Sequence, residues 1–155
     1  MRFQNICLEG PDCSGKTTMF NKLHELTSFK YNIQDRSCLS MLVYSIMYNR
    51  QDQEFWKNKL HEDIKRLETL YVVMIPSEDI LIKRLIKRGD KFQDEESIKL
   101  LRKYFFNITK FSLGFPNILL LEEEGLEDNV NIVLDKMNDL NTTCGSKLIK
   151  ALVVN

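Results

Sequence analysis

The sequence predicts an α/β fold of three layers, a parallel sheet with helices on both faces, and three observations carry that prediction. Short apolar runs alternate with segments of helical periodicity along the chain. Two of those runs, Leu70-Tyr71-Val72-Val73-Met74-Ile75 and Ile118-Leu119-Leu120-Leu121, show no polar alternation, which suits strands covered on both faces. The third observation is Gly10-Pro11-Asp12-Cys13-Ser14-Gly15-Lys16-Thr17, a G-x-x-x-x-G-K-T turn between a strand and a helix, where successive backbone N–H groups suit a phosphate.

The elements follow in order. Phe3, Ile6, Cys7 and Leu8 make the strand leading into the turn, and Thr17 to Leu26 reads as a helix with Met19, Phe20, Leu23 and Leu26 on one face. That helix aims its partial positive end at an anion held by the turn. Tyr31-Asn32-Ile33-Gln34-Asp35 is extended and runs into Arg36-Ser37, and the strand, helix, strand order lays it parallel to the first with Asp35 near the turn. A helix from about Leu39 to Asn49 buries Leu42, Val43, Ile46 and Met47, and a more polar one runs from about Gln53 to Glu68. Pro76 closes the third strand, Ser77 suits an N-cap, and the next helix turns Ile80, Leu81, Leu85 and Ile86 inward until Gly89 ends it. Beyond a polar loop from Asp90 to Asp94, Glu95 to Phe111 is helical with Ile98, Leu101, Tyr104, Phe105 and Ile108 inward, and Phe115-Pro116-Asn117 breaks it. Leu126 to Leu140 closes the chain as an amphipathic helix. The organisation is one domain over 1–140 and a tail over 141–155, the tail open between an added strand, a docked arm and a frayed end.

Lys plus Arg and Asp plus Glu both number 22, so no global field recruits nucleic acid. No apolar run approaches the length of a membrane span, so a soluble protein without a membrane partner is expected. Cys7, Cys13, Cys38 and Cys144 have no metal-ligand spacing and read as reduced thiols of a cytoplasmic protein. The phosphate turn starts at residue 10, which leaves room for its own strand and none for a signal peptide.

A phosphate turn alone does not separate a kinase from a GTPase, a motor or a regulatory ATPase. The D-x-x-G and N-K-x-D patterns of a GTPase do not occur outside the turn. What does occur is Asp35-Arg36-Ser37 at the end of the second strand and Lys83-Arg84-Leu85-Ile86-Lys87-Arg88-Gly89 later on. With Glu9-Gly10-Pro11-Asp12-Cys13-Ser14-Gly15-Lys16-Thr17-Thr18, and with Ser40 and Tyr44 behind Asp35-Arg36-Ser37, the chain resembles the thymidylate kinase family of nucleoside and nucleotide kinases. Arg84-x-x-x-Arg88-Gly89 then stands in the place of the lid, about 84–95. The compact length and the Gly-Pro-Asp-Cys-Ser wording are similar to virus-encoded members, which would act in the host cytoplasm.

The resemblance implies a P-loop kinase fold that uses ATP and Mg²⁺ to move the γ-phosphate to a thymidylate-like deoxynucleotide. It implies that Gly10, Pro11, Asp12, Cys13, Ser14, Gly15, Lys16, Thr17 and Thr18 surround the ATP phosphates, with Arg84 joining them. Lys16 would neutralise β/γ oxygens, Thr17 and Asp35 would ligate Mg²⁺, and Asp12 would lie near the acceptor. Asp35 has a second role open to it, taking the proton from an attacking hydroxyl. Arg36 would hold the acceptor side or the migrating phosphoryl group, and Arg88 would act as a transition-state cation. Bland alternatives stand beside these: a surface ion pair for Asp35 and Arg36, a solvated cationic helix face for Lys83, Arg84, Lys87 and Arg88, and solvated acids rather than a metal site for Glu122 to Glu124. Lys91 lies in the lid with no motif behind it.

One region departs from the family pattern. Thymidylate kinases place another strand and helix before the Asp-Arg strand, carrying an aromatic that stacks on the base and an arginine for the monophosphate. Too few residues separate Thr18 from Asp35 to hold them. Tyr44, Tyr48, Arg50, Phe55 and Trp56 can supply an aromatic face and a cation instead, with core packing as the alternative for each aromatic. Three functions stay open: a kinase for a thymidylate-like deoxynucleotide, a kinase for a nucleoside 5′-hydroxyl or a hydroxymethylated base in DNA, and a non-catalytic nucleotide-binding module. The partner is thus a small nucleotide or nucleoside before it is DNA, and monomer and homodimer are both compatible with the sequence.

Overall fold

A computed structural model describes residues 3–89, 93–122 and 125–153, with side chains to residue 143. Its elements are β1 (Asn5–Glu9), α1 (Lys16–Thr27), β2 (Asn32–Asp35), α2 (Cys38–Met47), α3 (Gln53–Lys65), β3 (Thr69–Met74), α4 (Glu78–Arg88), α5 (Glu95–Ser112), β4 (Ile118–Leu121) and α6 (Leu126–Val153). The strands pair in parallel in the order β2-β1-β3-β4. This is the expected α/β class.

The uninterrupted apolar runs have a direct cause in the pleat, which sends successive side chains to opposite faces. Leu70, Val72 and Met74 join Ile6, Leu8 and Ile33 on one face, where Met19 and Leu23 of α1 and Val130, Val133 and Met137 of α6 cover them. Tyr71, Val73 and Ile75 join Cys7 on the other, covered by residues of α2 to α5 such as Val43, Ile64, Leu81, Leu101 and Phe105. Both faces of β1 and β3 are therefore core, and each fully buried Leu, Ile or Phe there contributes about 1.5–3 kcal/mol.

From β1 the chain steps to β2 on one side and later to β3 on the other, so the carboxyl end of β1 is the point where the winding reverses. Open parallel sheets bind ligands at that point. Among the described residues β2 pairs with β1 alone and is an edge strand, and α1 passes to it through a short turn with no further strand or helix between them. Phe3 N–H donates to Asn141 Oδ1 at 2.7 Å and Asn141 Nδ2 donates to Phe3 O at 3.2 Å, fixing the start of β1 to α6.

Several expectations change. Ile86 is 66% exposed because it stands about 100° round the helix from Leu85, outside the stripe that Leu81 and Leu85 bury. Leu26, in the last turn of α1, is half exposed for a similar reason: the buried stripe of that helix is Met19 and Leu23. Ser77 takes the N-cap position of α4 without a side-chain capping bond, whereas Gly89 ends the helix at φ +64° as expected. α6 does not stop near Leu140 but runs on to Val153 through most of the stretch set apart as a tail. Lys91 and the centre of the proposed lid lie outside the described residues, as do Glu123, Glu124 and the Cys144 side chain. Among the described residues, no helix is long and apolar enough to cross a membrane.

Candidate functional site

β1 ends at Glu9 and the chain reverses at once. Gly10 has φ +133°, and a Cβ there would lie 2.2 Å from the Met74 carbonyl oxygen, so a side chain is excluded twice over. Gly15 takes φ +100° at the N-cap of α1, and Ser14 N–H donates to Pro11 O at 3.3 Å across the turn. Lys16 opens the helix. Its buried ammonium donates to Gly10 O at 2.8 Å and Pro11 O at 2.7 Å. Burial pushes its pKa down to about 8, the Arg36 charge pushes the same way, and the Asp12, Asp35 and Glu9 carboxylates oppose both.

Around this turn lies a cavity of about 520 Å³. Of the sequence-selected residues, Asp12, Cys13, Ser14, Gly15, Lys16, Thr17, Thr18, Asp35, Arg36, Arg84 and Arg88 all line it, joined by Met74, Pro76, Leu126 and Asn129. Gly10 and Pro11 are buried behind it and do not line it. Lys16, Arg36, Arg84 and Arg88 outnumber Asp12 and Asp35, so the cavity suits an anion. Asp35 opens into it rather than across the sheet. Arg84 also engages the turn itself, with Nη1 donating to Cys13 O at 3.2 Å and to Ser14 O at 3.1 Å.

The other side of the cavity is organised by Asp12. It forms an ion pair with Arg36, and it accepts from Gln93 Nε2 at 2.6 Å and from the Tyr44 hydroxyl at 3.4 Å. Arg36 Nη1 also donates to Tyr44 OH at 2.8 Å. The simple surface pair between neighbours Asp35 and Arg36 is thus replaced by a longer-range pair from turn to strand end. Arg36 itself sits at φ +71°, a costly backbone region for a residue with a side chain.

What keeps Arg36 there is Glu9, to which the sequence reading assigned no role. Glu9 is fully buried and accepts from Ser37 N–H at 2.7 Å, from the Ser37 hydroxyl and from the Ser40 hydroxyl. Burial raises its pKa, and the serine hydrogen bonds pull it back. A carboxylate closing an apolar strand, with Ser37 and Ser40 one turn apart beyond Arg36, was the available signal.

Thr17 and Asp35 are exposed oxygen donors on one cavity, and oxygen ligands are what Mg²⁺ takes. Among the described residues no group of three His, Cys, Asp or Glu side chains could hold a metal by itself, so substrate oxygens would have to complete the shell. Cys7, Cys13 and Cys38 are free thiols. Burial, with help from Asp63, pushes Cys38 up to about 12, which makes it an unreactive thiol.

No family model matches this sequence, and no curated protein sequence matches it. Solved structures do. Deoxyadenosine kinase from M. mycoides with bound dATP aligns at a TM-score of 0.58 and 15% identity, over 86% of this chain and 99% of that one. The same kinase with the products dCMP and a flexible dCDP gives 0.57 and 15%, over 87% and 99%. With bound dCTP it gives 0.56 and 14%, over 87% and 99%. The chain shares the fold of these deoxyadenosine kinases. A deoxyadenosine kinase fold agrees with the P-loop kinase fold expected from the motifs, and it does not single out the thymidylate kinases or a virus-encoded protein.

Proposed function

We propose that the protein is an ATP-dependent phosphotransferase that moves the γ-phosphate of ATP to a thymidylate-like deoxynucleotide. The observation that carries this reading is the convergence of the turn, Lys16, Asp12, Asp35 and Arg36 on one cationic cavity beyond the carboxyl end of β1. Phosphoryl transfer demands positioning and charge neutralisation more than covalent chemistry from the protein. Lys16 spends its donors on Gly10 and Pro11 carbonyls. A polyphosphate offers those donors better acceptors and restores the full positive charge that burial disfavours.

Arg84, by holding the Cys13 and Ser14 carbonyls, keeps the turn in shape. Arg88 lines the cavity from the last turn of α4 and supplies a cation for charge that builds up during transfer. Thr17 and Asp35 would hold Mg²⁺, which when bound neutralises β- and γ-oxygens. Asp35 has the alternative of accepting the proton of an attacking hydroxyl. The Asp12–Arg36 pair orients the acceptor group. A cytoplasmic setting, with ATP and reduced thiols, suits this chemistry.

The fold shared with deoxyadenosine kinases favours one further reading, in which the acceptor is a deoxynucleoside 5′-hydroxyl. A transfer assay from labelled ATP to dTMP, other monophosphates, deoxynucleosides and hydroxymethylated DNA separates the two. Transfer to dTMP is the expected result, and transfer to nucleosides alone selects the second reading. Tight binding of an ATP analogue with no transfer to any acceptor leaves a nucleotide-binding module and refutes the enzyme. Lys16→Ala should abolish transfer while the fold survives.

A further inference from the structure

A second cavity, of about 330 Å³, meets the phosphate cavity only at Arg36, which among the described residues is the one residue that lines both. Its floor is a row across the sheet, because Gln34 and Tyr71 are the strand partners of Cys7 on either side. Helices α2 to α5 cover the β3 side of that face. Among the described residues no further strand pairs beyond β2, and Gln34 is exposed, so the row stays open at that edge. Thr69, the first residue of β3, also lines the cavity. The cavity therefore opens on the face of the sheet near the start of β3, whereas the phosphate cavity lies beyond the carboxyl ends of the strands. A molecule held there is neither donor nor acceptor for a transfer at Lys16.

Tyr71 brings a buried hydroxyl to this cavity. The residue is 4% exposed, and among the described residues its hydroxyl has no hydrogen-bond partner. Burial raises its pKa, and the Asp63 carboxylate and the Cys7 and Cys38 thiols raise it further. Those three residues line the same cavity, so the hydroxyl stands on the cavity side of the ring as a neutral donor. A buried donor left unpaired is costly, and folds keep few of them.

The wall opposite is α3 and its cap. Asp63 accepts from Lys59 Nζ at 2.9 Å and from Cys38 Sγ at 3.1 Å, while Arg66 Nη1 stands 3.7 Å from the same carboxylate. The last distance is an ion pair without a hydrogen bond, so the Arg66 fork keeps its donors, and Lys59 spends only one of its own on Asp63. Arg36, Lys59 and Arg66 outnumber Asp63 and Glu68 among the lining residues. Unspent cationic donors at the wall and an unpaired neutral donor at the floor call for one kind of guest, an anion with acceptor oxygens at both ends.

We propose that this cavity binds a small organic anion, which sets a carboxylate or phosphate against Lys59 and Arg66 and offers a second acceptor atom to Tyr71. Its volume stands at the small end of the range for ligand cavities, which limits the guest to one compact molecule. The site is independent of which acceptor the phosphate cavity serves.

The test is calorimetric titration of ribose 5-phosphate and of citrate, a phosphate ester and a carboxylate that both carry further acceptor oxygens. Tyr71→Phe removes one neutral hydrogen bond and should weaken binding about three- to tenfold. Arg66→Ala removes a charge-assisted contact and should weaken it about tenfold or more, with a shallower salt dependence. Lys16→Ala, at the phosphate turn, should change it less than about twofold. The probe that binds more tightly decides between phosphate and carboxylate. Tyr71→Phe should also melt no lower than the wild type, because the hydroxyl it removes has no partner in the fold. The site is overturned by absence of binding of both probes to the wild type at millimolar concentration, or by binding that either Tyr71→Phe or Arg66→Ala leaves unchanged. A melting temperature lowered in Tyr71→Phe overturns it equally, since the hydroxyl would then serve the fold.

Discussion

At Lys16 a buried ammonium is surrounded by carbonyl oxygens of its own turn, a state that a polyanion improves and an apolar side chain could not exploit. Asp35 is the residue whose role divides most cleanly. Asp35→Asn keeps the shape and removes the charge, so transfer should fall at least ~10²-fold, the low end of a general-base contribution. Excess Mg²⁺ should recover part of that loss if the carboxylate holds the ion, and none of it if the carboxylate accepts the proton. Turnover reduced less than about threefold would return Asp35 to the role of a solvated strand-end acid. The identities of these residues were legible in the sequence because spacing within the turn is fixed by backbone geometry. Arg36 pairing with Asp12 rather than with its neighbour Asp35 was not, since it depends on how the strand end meets the turn in space.

Between elements, the decisive contact is the one from the end of β1 to the first turn of α2. Glu9 receives the Ser37 backbone N–H and two serine hydroxyls, and so holds Arg36 in its left-handed backbone beside the phosphate turn. Burial raises the Glu9 pKa above 4.5, its ordinary value. Between that value and its raised one the folded protein therefore holds a proton that the unfolded chain has released. Stability must fall as pH rises through that window, and the loss persists above it. Glu9→Gln cannot titrate, yet its amide oxygen still accepts from Ser37 N–H, so urea midpoints measured from pH 4.5 to neutrality should lose that part of their decline. An unchanged pH slope would remove Glu9 as its source. Glu9→Ala instead strands the Ser37 N–H and should cost about 1–3 kcal/mol. Strands and helices were legible at this scale because apolar runs and helical stripes are local, and their ends moved by only a few residues. A buried acid clamp was not, because its donors lie far along the chain and a carboxylate inside a core contradicts the pattern by which cores are recognised. The extension of α6 was hidden likewise, since Asn-Thr-Thr-Cys-Gly-Ser has the composition of a link.

Across the whole molecule, β1 has one end in the phosphate turn and the other under α6. Two cores meet on β1 and β3, so the sheet that aims Lys16 and Asp35 is stabilised from both faces. The far end of β1 is secured by the two hydrogen bonds between the Phe3 backbone and the Asn141 carboxamide, which join the start of the described chain to its last helix. Asn141→Ala leaves the Phe3 N–H and carbonyl without those partners beside a buried side chain, a loss of about 1–3 kcal/mol. Each kcal/mol should lower Tm by roughly 2–4 °C in a domain of this size. The contact sits at the opposite end of β1 from the turn, so ATP-analogue affinity should change by less than about twofold when the protein is kept well below its new Tm, as additivity of distant sites requires. Calorimetric melting and analogue titration of the same preparation check both halves. A lowered Tm with intact affinity makes α6 a fastener of the sheet. Affinity lost together with stability would mean that the position of β1 reaches the phosphate turn along the strand, and that the Phe3–Asn141 contact, not only the first turns of α6 that line the cavity, supports binding.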